Sequence, residues 1–518
     1  MQNALVFLLL PLTTLLLLHI ATRLRHPSPT RKAASARLAG VKPAAIKKRF
    51  LLLLPGALRQ PAEVFVTDRF AAHRLLIGGA AAAGAFSDRP PSIVPSAVLS
   101  RLRHYNINSA PYGPLWRALR RNLTSEVFHP SRFHRYAPAR RRALGDLVAD
   151  LDRQRASSGV VRAAESLRAA MFGLMATMCF GGGVDAGVVR AMAAAQDDLV
   201  QCFPGLRVFA TLPAVTGIVY RSRWRKLLEL RRKQEETYLP LIDARRGRHG
   251  EPSAPAYVDT LLDLRVPEEH AASASGGSNS LKRRRRLIDG ELVGLCSEFL
   301  GAGTEPAAAA LQWIMANLVK RPDVQRALRE EIDAAVGADA DEVGEEEIGR
   351  LEYLNAVVME GLRLHPTVPM VLRQVMADDH VVLDMDDGQR RLPAGTAVHF
   401  PLARLARDKT AWADPREFRP ERFMAGGEGE GVSLVAAAGS AGEIRMMPFG
   451  AGRRICPGMG VAVLHLGYFV ANLVREFEWV ENDGELAVDL RLHLGFFTVM
   501  KRPLRAHLVR RREAKPCC

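Results

Sequence analysis

The stretch Pro448-Phe449-Gly450-Ala451-Gly452-Arg453-Arg454-Ile455-Cys456-Pro457-Gly458 constrains this chain more than any other. Glycines at 450 and 452 permit a backbone approach that a Cβ would block. Cys456 is followed by Pro-Gly and then by an apolar run, 461–473, that reads as a helix. A cysteine at a helix N-terminus has its thiolate stabilised by the helix dipole and by unpaired amides. Arg454 adds a positive charge two residues away. The pattern reads as a loop that presents one thiolate to an iron. The competing reading is a glycine-rich surface turn with a buried cysteine.

The stretch resembles the haem-binding loop of the cytochrome P450 superfamily, Phe-x-x-Gly-x-Arg-x-Cys-x-Gly. Phe449, Gly452, Arg454, Cys456 and Gly458 fill its fixed positions, and other motifs of the family fall in order over residues 61–505. The resemblance implies a mainly α-helical domain with a smaller β-rich lobe. It places haem b (iron protoporphyrin IX) between a long helix and the Cys456 loop. Cys456 is then the axial iron ligand, with Phe449, Gly452, Arg454 and Gly458 beside the cofactor. A cysteine ligand of this kind pushes electron density toward O–O cleavage. The wording of the motifs looks like a plant A-type, microsomal member.

Further upstream, Tyr112-Gly113-Pro114-Leu115-Trp116-Arg117-Ala118-Leu119-Arg120 opens a helix. Trp116 and Arg120 are four apart and share a face. Both are donors, as a haem propionate requires, and the pair resembles the family's Trp-x-x-x-Arg helix. An amphipathic surface helix with a snorkelling arginine is the plainer alternative. Residues 289–319 are small and apolar on every side, so they read as one long buried helix. Its centre, Gly301-Ala302-Gly303-Thr304-Glu305-Pro306, resembles the family's oxygen-binding helix. The resemblance implies that Gly303 lets cofactor and O₂ approach the backbone, that Glu305 feeds protons inward, and that Ala302 lines the pocket. The family usually has threonine after the acid, and its hydroxyl orients water. This chain has Pro306, which lacks both hydroxyl and N–H and kinks a helix at a cost of ~3 kcal/mol. Thr304, expected on another face, is the only nearby hydroxyl.

Residues 353–364 read as a helix in which Glu360 and Arg363 are within reach of one ion pair. On a surface such a pair contributes almost nothing. It resembles the family's Glu-x-x-Arg motif, which is buried behind the haem. Pro420-Glu421-Arg422-Phe423 matches the segment that supplies a third partner, Arg422. Removing one member of a buried charge network costs ~3–5 kcal/mol, so Glu360, Arg363 and Arg422 are assigned to the fold. Residues 366–374 are expected to be extended, since prolines at 366 and 369 forbid regular helix. The resemblance makes Val368, Met370, Val371 and Leu372 pocket candidates and directs Arg373 to a propionate. Phe496 and Phe497 resemble the turn that closes the pocket from another side. Core packing is the competing reading for both segments.

At 518 residues the chain has room for one large domain or two or three ordinary ones. Cysteines 179, 202, 296, 456, 517 and 518 show no Cys-x-x-Cys spacing, which argues against a zinc site or a disulfide framework. A net charge of +17 and a pI of about 10.0 call for acidic partners. Aromatic content of 6% is low for base stacking. Membrane lipid is therefore an expected partner and nucleic acid is not; the resemblance adds an acidic NADPH-dependent flavoprotein reductase. Residues 282–286, after the Ser/Gly-rich 271–280, read as a solvated linker. Residues 4–21 form a nearly unbroken apolar run, close to the ~20 that span a bilayer. Arg23, Arg25, Arg31, Lys32 and Arg37 follow it and no lysine or arginine precedes it, which places the next domain in the cytosol. The expected organisation is a membrane anchor over 1–22, a basic linker over 23–60, short for the family, and a catalytic domain over 61–518. The expected location is the endoplasmic reticulum membrane, single-pass.

The resemblance implies a membrane-anchored haem-thiolate monooxygenase. It would insert one atom of O₂ into a small apolar substrate with electrons from the reductase. Two other readings stay open. A hydroperoxide-rearranging haem-thiolate enzyme needs neither reductase nor threonine relay, although the loop before Cys456 carries no insertion. A catalytically impaired, decayed paralogue suits Pro306 and the short 23–60 segment.

Overall fold

A computed structural model of the chain describes residues 63–78, 86–90, 106–108, 110–209, 213–247, 256–268, 284–337, 340–376, 381–385, 388–434, 442–482, 484 and 487–511. They belong to the unit Pro61–Cys518. The anchor expected at 1–22 and the linker at 23–60 lie outside the described residues. Among the described residues, no helix is long and apolar enough to cross a membrane.

In chain order the principal helices are α1 (Arg69–Leu76), α2 (Pro114–Asn122), α3 (Ala137–Ser158), α4 (Ala163–Phe180), α5 (Ala186–Leu206), α6 (Arg221–Gly247), α7 (Tyr257–Asp263), α8 (Asp289–Lys320), α9 (Pro322–Ala335), α10 (Glu352–Leu364) and α11 (Met459–Glu476). The apolar stretch expected to form one helix does so as α8. Leu292, Leu300, Leu311, Trp313, Ile314 and Leu318 are buried along it, and it packs against α4, α6, α10 and α11.

The start of α8 is fixed by charge. The Glu291 carboxylate accepts the Ile288 N–H at 3.0 Å, as an acid at a helix N-terminus should. Both terminal nitrogens of Arg285 donate to the same carboxylate at 2.7 Å. This corrects the reading of 282–286 as a solvated linker. Arg284–Arg286 is a strand paired antiparallel with Arg265–Pro267, and its central guanidinium anchors α8.

The smaller lobe holds strands β1 (Glu63–Phe65), β2 (Met370–Gln374) and β3 (Ala397–Pro401), in the order β1-β3-β2. β1 runs parallel to β3, and β2 antiparallel to it. Val64, Val398 and Phe400 share an apolar cluster with Leu75, Leu76, Met447 and Ala451. That cluster sets α1 and β2 beside the Cys456 loop. A hairpin of Leu492–Leu494 and Thr498–Met500 lies near the C-terminus. The Thr498 N–H donates to the Thr367 carbonyl at 2.7 Å. Trp313 Nε1 of α8 donates to the Thr498 carbonyl at 3.3 Å. The hairpin is thereby pinned to α8 and to the segment leading into β2.

Candidate active site

The Cys456 loop turns on backbone angles that favour glycine. Gly450 and Gly452 have φ of +74° and +71°, the left-handed region where a Cβ is strained. At Gly452 a Cβ would also overlap the Leu76 carbonyl oxygen. Backbone strain of this kind costs about 1–3 kcal/mol, so Gly452→Ala is expected to lower the calorimetric melting temperature by several degrees. An unchanged melting temperature would show that the loop relaxes freely. A short 3-10 turn, Gly452–Arg454, follows, and the Cys456 N–H donates to the Phe449 carbonyl at 2.8 Å. Helix α11 begins just beyond, with Gly458 at its N-cap.

Cys456 is thus a free, half-buried cysteine ahead of a helix. Burial pushes its thiol up, while the Gly458 N–H and the cations of Arg120 and Arg89 pull the other way. The helix-end amide expected beside the sulfur is in place. Arg454, expected to supply the local charge, instead turns to the Ala110 carbonyl at 2.7 Å and Asp88 Oδ1 at 3.3 Å.

Around this loop lie four guanidiniums that repel one another. Arg373 of β2 is buried and donates to the carbonyls of Leu372 at 2.8 Å and Ala451 at 3.0 Å. Burial and the cations Arg89 and Arg454 push its pKa well below the usual range. Burial, assisted by repulsion from Arg89 and opposed by Asp88, brings Arg454 down to about 10. Burial also lowers Arg120, with Cys456 opposing and Arg89 assisting. Arg120 and Arg373 have no carboxylate partner among the described residues. Buried charges require opposite charges among them, so the cluster is suited to a dianion. Trp116 does not join it as a donor. Its indole N–H donates to the Ile107 carbonyl at 3.1 Å, and its ring lies 5.0 Å from the Arg454 guanidinium and 6.0 Å from that of Arg120.

On α8 the expected residues separate. Ala302 is exposed, whereas Thr304 is fully buried and its Oγ1 has no partner among the described residues. Thr304 therefore faces away from the side that Ala302 presents, the other face expected of it. The missing Cβ of Gly303 makes room for Met175 of α4. Glu305 Oε1 accepts from Arg168 Nε at 2.9 Å and Nη2 at 2.5 Å. Arg168 Nη1 also pairs with Asp197 Oδ2 of α5 at 2.9 Å. The expected proton-path acid is one corner of a charge triad joining α4, α5 and α8.

Behind the loop, Glu360, Arg363 and Arg422 are buried together. Arg363 Nε and Nη2 donate to the two Glu360 oxygens at 2.6 and 2.8 Å, and Arg422 Nε reaches Glu360 Oε1 at 3.3 Å. Arg363 Nη1 also donates to the carbonyls of Ala406 and Pro415 at 2.8 and 2.9 Å. Arg422 Nη2 takes the Asp414 carbonyl at 2.7 Å. The network holds the irregular chain between 406 and 417.

Side chains alternate along β2. Val371 and Arg373 meet the Cys456 loop: a Cβ on Gly450 would stand 3.5 Å from Val371. Met370 and Leu372 take the opposite face. Val368 packs in the same small-lobe cluster as Val371. Phe496 is 40% exposed and lies edge-on to Phe497 and to Phe203 of α5, each at 4.9 Å.

Residues 61–504 match the family model described as Cytochrome P450. The chain belongs to the cytochrome P450 family. It is 39% identical over 457 residues to Cytochrome P450 89A9 of Arabidopsis thaliana, covering 87% of this chain and 85% of that protein. It is 28% identical to Flavonoid 3'-monooxygenase of Petunia hybrida, covering 83% and 80%. A zebrafish cytochrome P450 solved with abiraterone shares the fold: the TM-score is 0.66 at 21% identity, covering 87% of this chain and 94% of that one. The chain is a plant-type P450 monooxygenase, and the family uses haem. The residues suit that group. Arg120 and Arg373 have no carboxylate partner among the described residues while haem brings two propionates, and Cys456 offers a free sulfur.

Three residues of this P450 site were not singled out in the sequence. Arg89 donates to Asn108 Oδ1 and is among the cations that face Cys456. It lies outside any helix or strand, so no periodicity marks it. Glu298 of α8 accepts the N–H groups of Ile107 and Asn108 at 2.8 and 2.7 Å. Burial pushes its pKa up to about 7, against those two bonds and the charges of Arg89 and Arg454. Arg168 sits on one face of α4 and is defined only by what α8 brings to it.

Proposed function

We propose that this P450 is a membrane-anchored monooxygenase in which Cys456 Sγ would ligate the iron of haem b. The observation that carries the proposal is a free, half-buried cysteine at the head of α11, beside the cations of Arg89 and Arg120. When bound, haem supplies the oxygen activation. Arg89, Arg120, Arg373 and Arg454 would take the propionates. Val368, Val371, Ala302, Phe496 and Phe497 would exclude water and hold a small apolar substrate. The net reaction consumes substrate, O₂, NADPH and a proton and yields hydroxylated substrate, water and NADP⁺. An NADPH-dependent flavoprotein reductase would deliver the electrons, drawn by a chain of net charge +17. The apolar run at 4–21 and the basic residues after it support a single-pass anchor in the endoplasmic reticulum membrane, with the catalytic domain in the cytosol.

The test is the ferrous carbon monoxide spectrum, followed by turnover with reductase and NADPH. A protein without the thiolate-type Soret band, or one that turns over hydroperoxide alone, would exclude the reading. Pro306 leaves the oxygen side of α8 without a hydroxyl, since Thr304 faces away. Pro306→Thr is therefore expected to raise product formed per NADPH several-fold. An unchanged ratio would show that another group moves the proton.

A further inference from the structure

We infer that the Ala302 carbonyl oxygen, released from the helix ladder by Pro306, is an acceptor of the active site and takes an O–H or N–H donor, from a substrate or from a water. The inference rests on reading this site as a P450 active site. In an α-helix the carbonyl of residue i accepts the N–H of residue i+4. Four residues beyond Ala302 stands Pro306, inside α8, and proline has no N–H. A carbonyl without its partner is unfavourable away from water, so it favours a ligand that brings a donor.

The surroundings place that oxygen on the open side of the helix. Ala302 is exposed and Pro306 half-buried, while Gly301, Thr304 and Ala307 are buried. One turn earlier, Glu298 holds the N–H groups of Ile107 and Asn108. The Ile107 carbonyl in turn accepts from Trp116 Nε1 and from Arg454 Nη1. The same face of α8 therefore joins the segment to which Arg454 and Arg89 donate. Neighbouring donors are turned elsewhere. The Thr304 hydroxyl is buried off this face, and Arg168 is committed to Glu305 and Asp197. Where a threonine would place a hydroxyl, this chain offers a backbone oxygen one turn earlier.

Two full-length holoproteins test this: the unaltered chain and Pro306→Ala, which restores the N–H without adding a hydroxyl. Both must show the thiolate-type carbon monoxide band. Its loss in the unaltered chain would overturn the P450 reading itself, and its loss in the variant alone directs the comparison to Pro306→Gly, which also restores the N–H. The probes are 1-decanol and its methyl ether, titrated by the Soret shift, and hydrogen peroxide released per NADPH without added substrate. If a substrate donor uses the carbonyl, the unaltered chain binds the alcohol about tenfold tighter than the ether, as one good hydrogen bond allows, and the variant binds them alike. If a water uses it, the variant releases more peroxide per NADPH than the unaltered chain. Equal alcohol preference and equal peroxide release in the two proteins would overturn the inference.

Discussion

Replacing Cys456 with alanine is expected to abolish the red-shifted Soret band of the ferrous carbon monoxide complex and, with it, all NADPH-dependent product. The sulfur stands at the head of α11, on a loop whose glycines adopt left-handed angles; burial pushes its thiol up, and the Gly458 amide and two arginines oppose that by favouring the ionised form. Two of the other described cysteines offer no substitute. Cys179 and Cys296 are buried, and burial beside Cys296 pushes the Cys179 thiol well above its usual range. Thiolate, not thiol, is the metal ligand. A difference spectrum with a haem assay on the purified variant decides the matter: a retained band would mean that the wrong ligand has been chosen.

The second large effect is structural. Glu360→Gln is expected to destabilise the catalytic domain by about 3–5 kcal/mol, because it strands the buried Arg363 guanidinium and leaves that of Arg422 with Glu428 alone. A domain of ordinary stability has roughly 5–15 kcal/mol in all, so much of the variant should be recovered without haem. Arg363→Lys should fare little better. One ammonium cannot replace three nitrogens spread over Glu360, Ala406, Pro415 and Glu417. Chemical denaturation followed by fluorescence, with haem content measured in parallel, checks both. A denaturation midpoint equal to that of the unaltered protein would remove this network from the account of stability.

What was legible in the sequence had a local cause. Helix α8 followed from a long run of mostly small and apolar residues, α10 from the proline that ends it, and α11 from the apolar residues after Cys456. The pairing of Glu360 with Arg363 needed only their spacing, and its burial came through resemblance. What was illegible depends on which way a side chain faces once helices pack. Gly303 reads as room for a cofactor, yet the room is filled by Met175 from a helix more than a hundred residues away. Trp116 reads as a donor, yet its N–H was claimed by a carbonyl of an irregular segment. Arg285 sits in a charge run with the composition of a linker, and only the buried Glu291 marks it as structural. Arg89 lies in a stretch with no period at all.

The bare backbone of Gly452 lies directly against the Leu76 carbonyl, so the Cys456 loop and the end of α1 meet there with no intervening side chain. Fraying of that helix end on heating therefore loosens the Cys456 loop in the same event. In this protein, loss of colour is an early gauge of damage to the lobe that carries none of the redox chemistry.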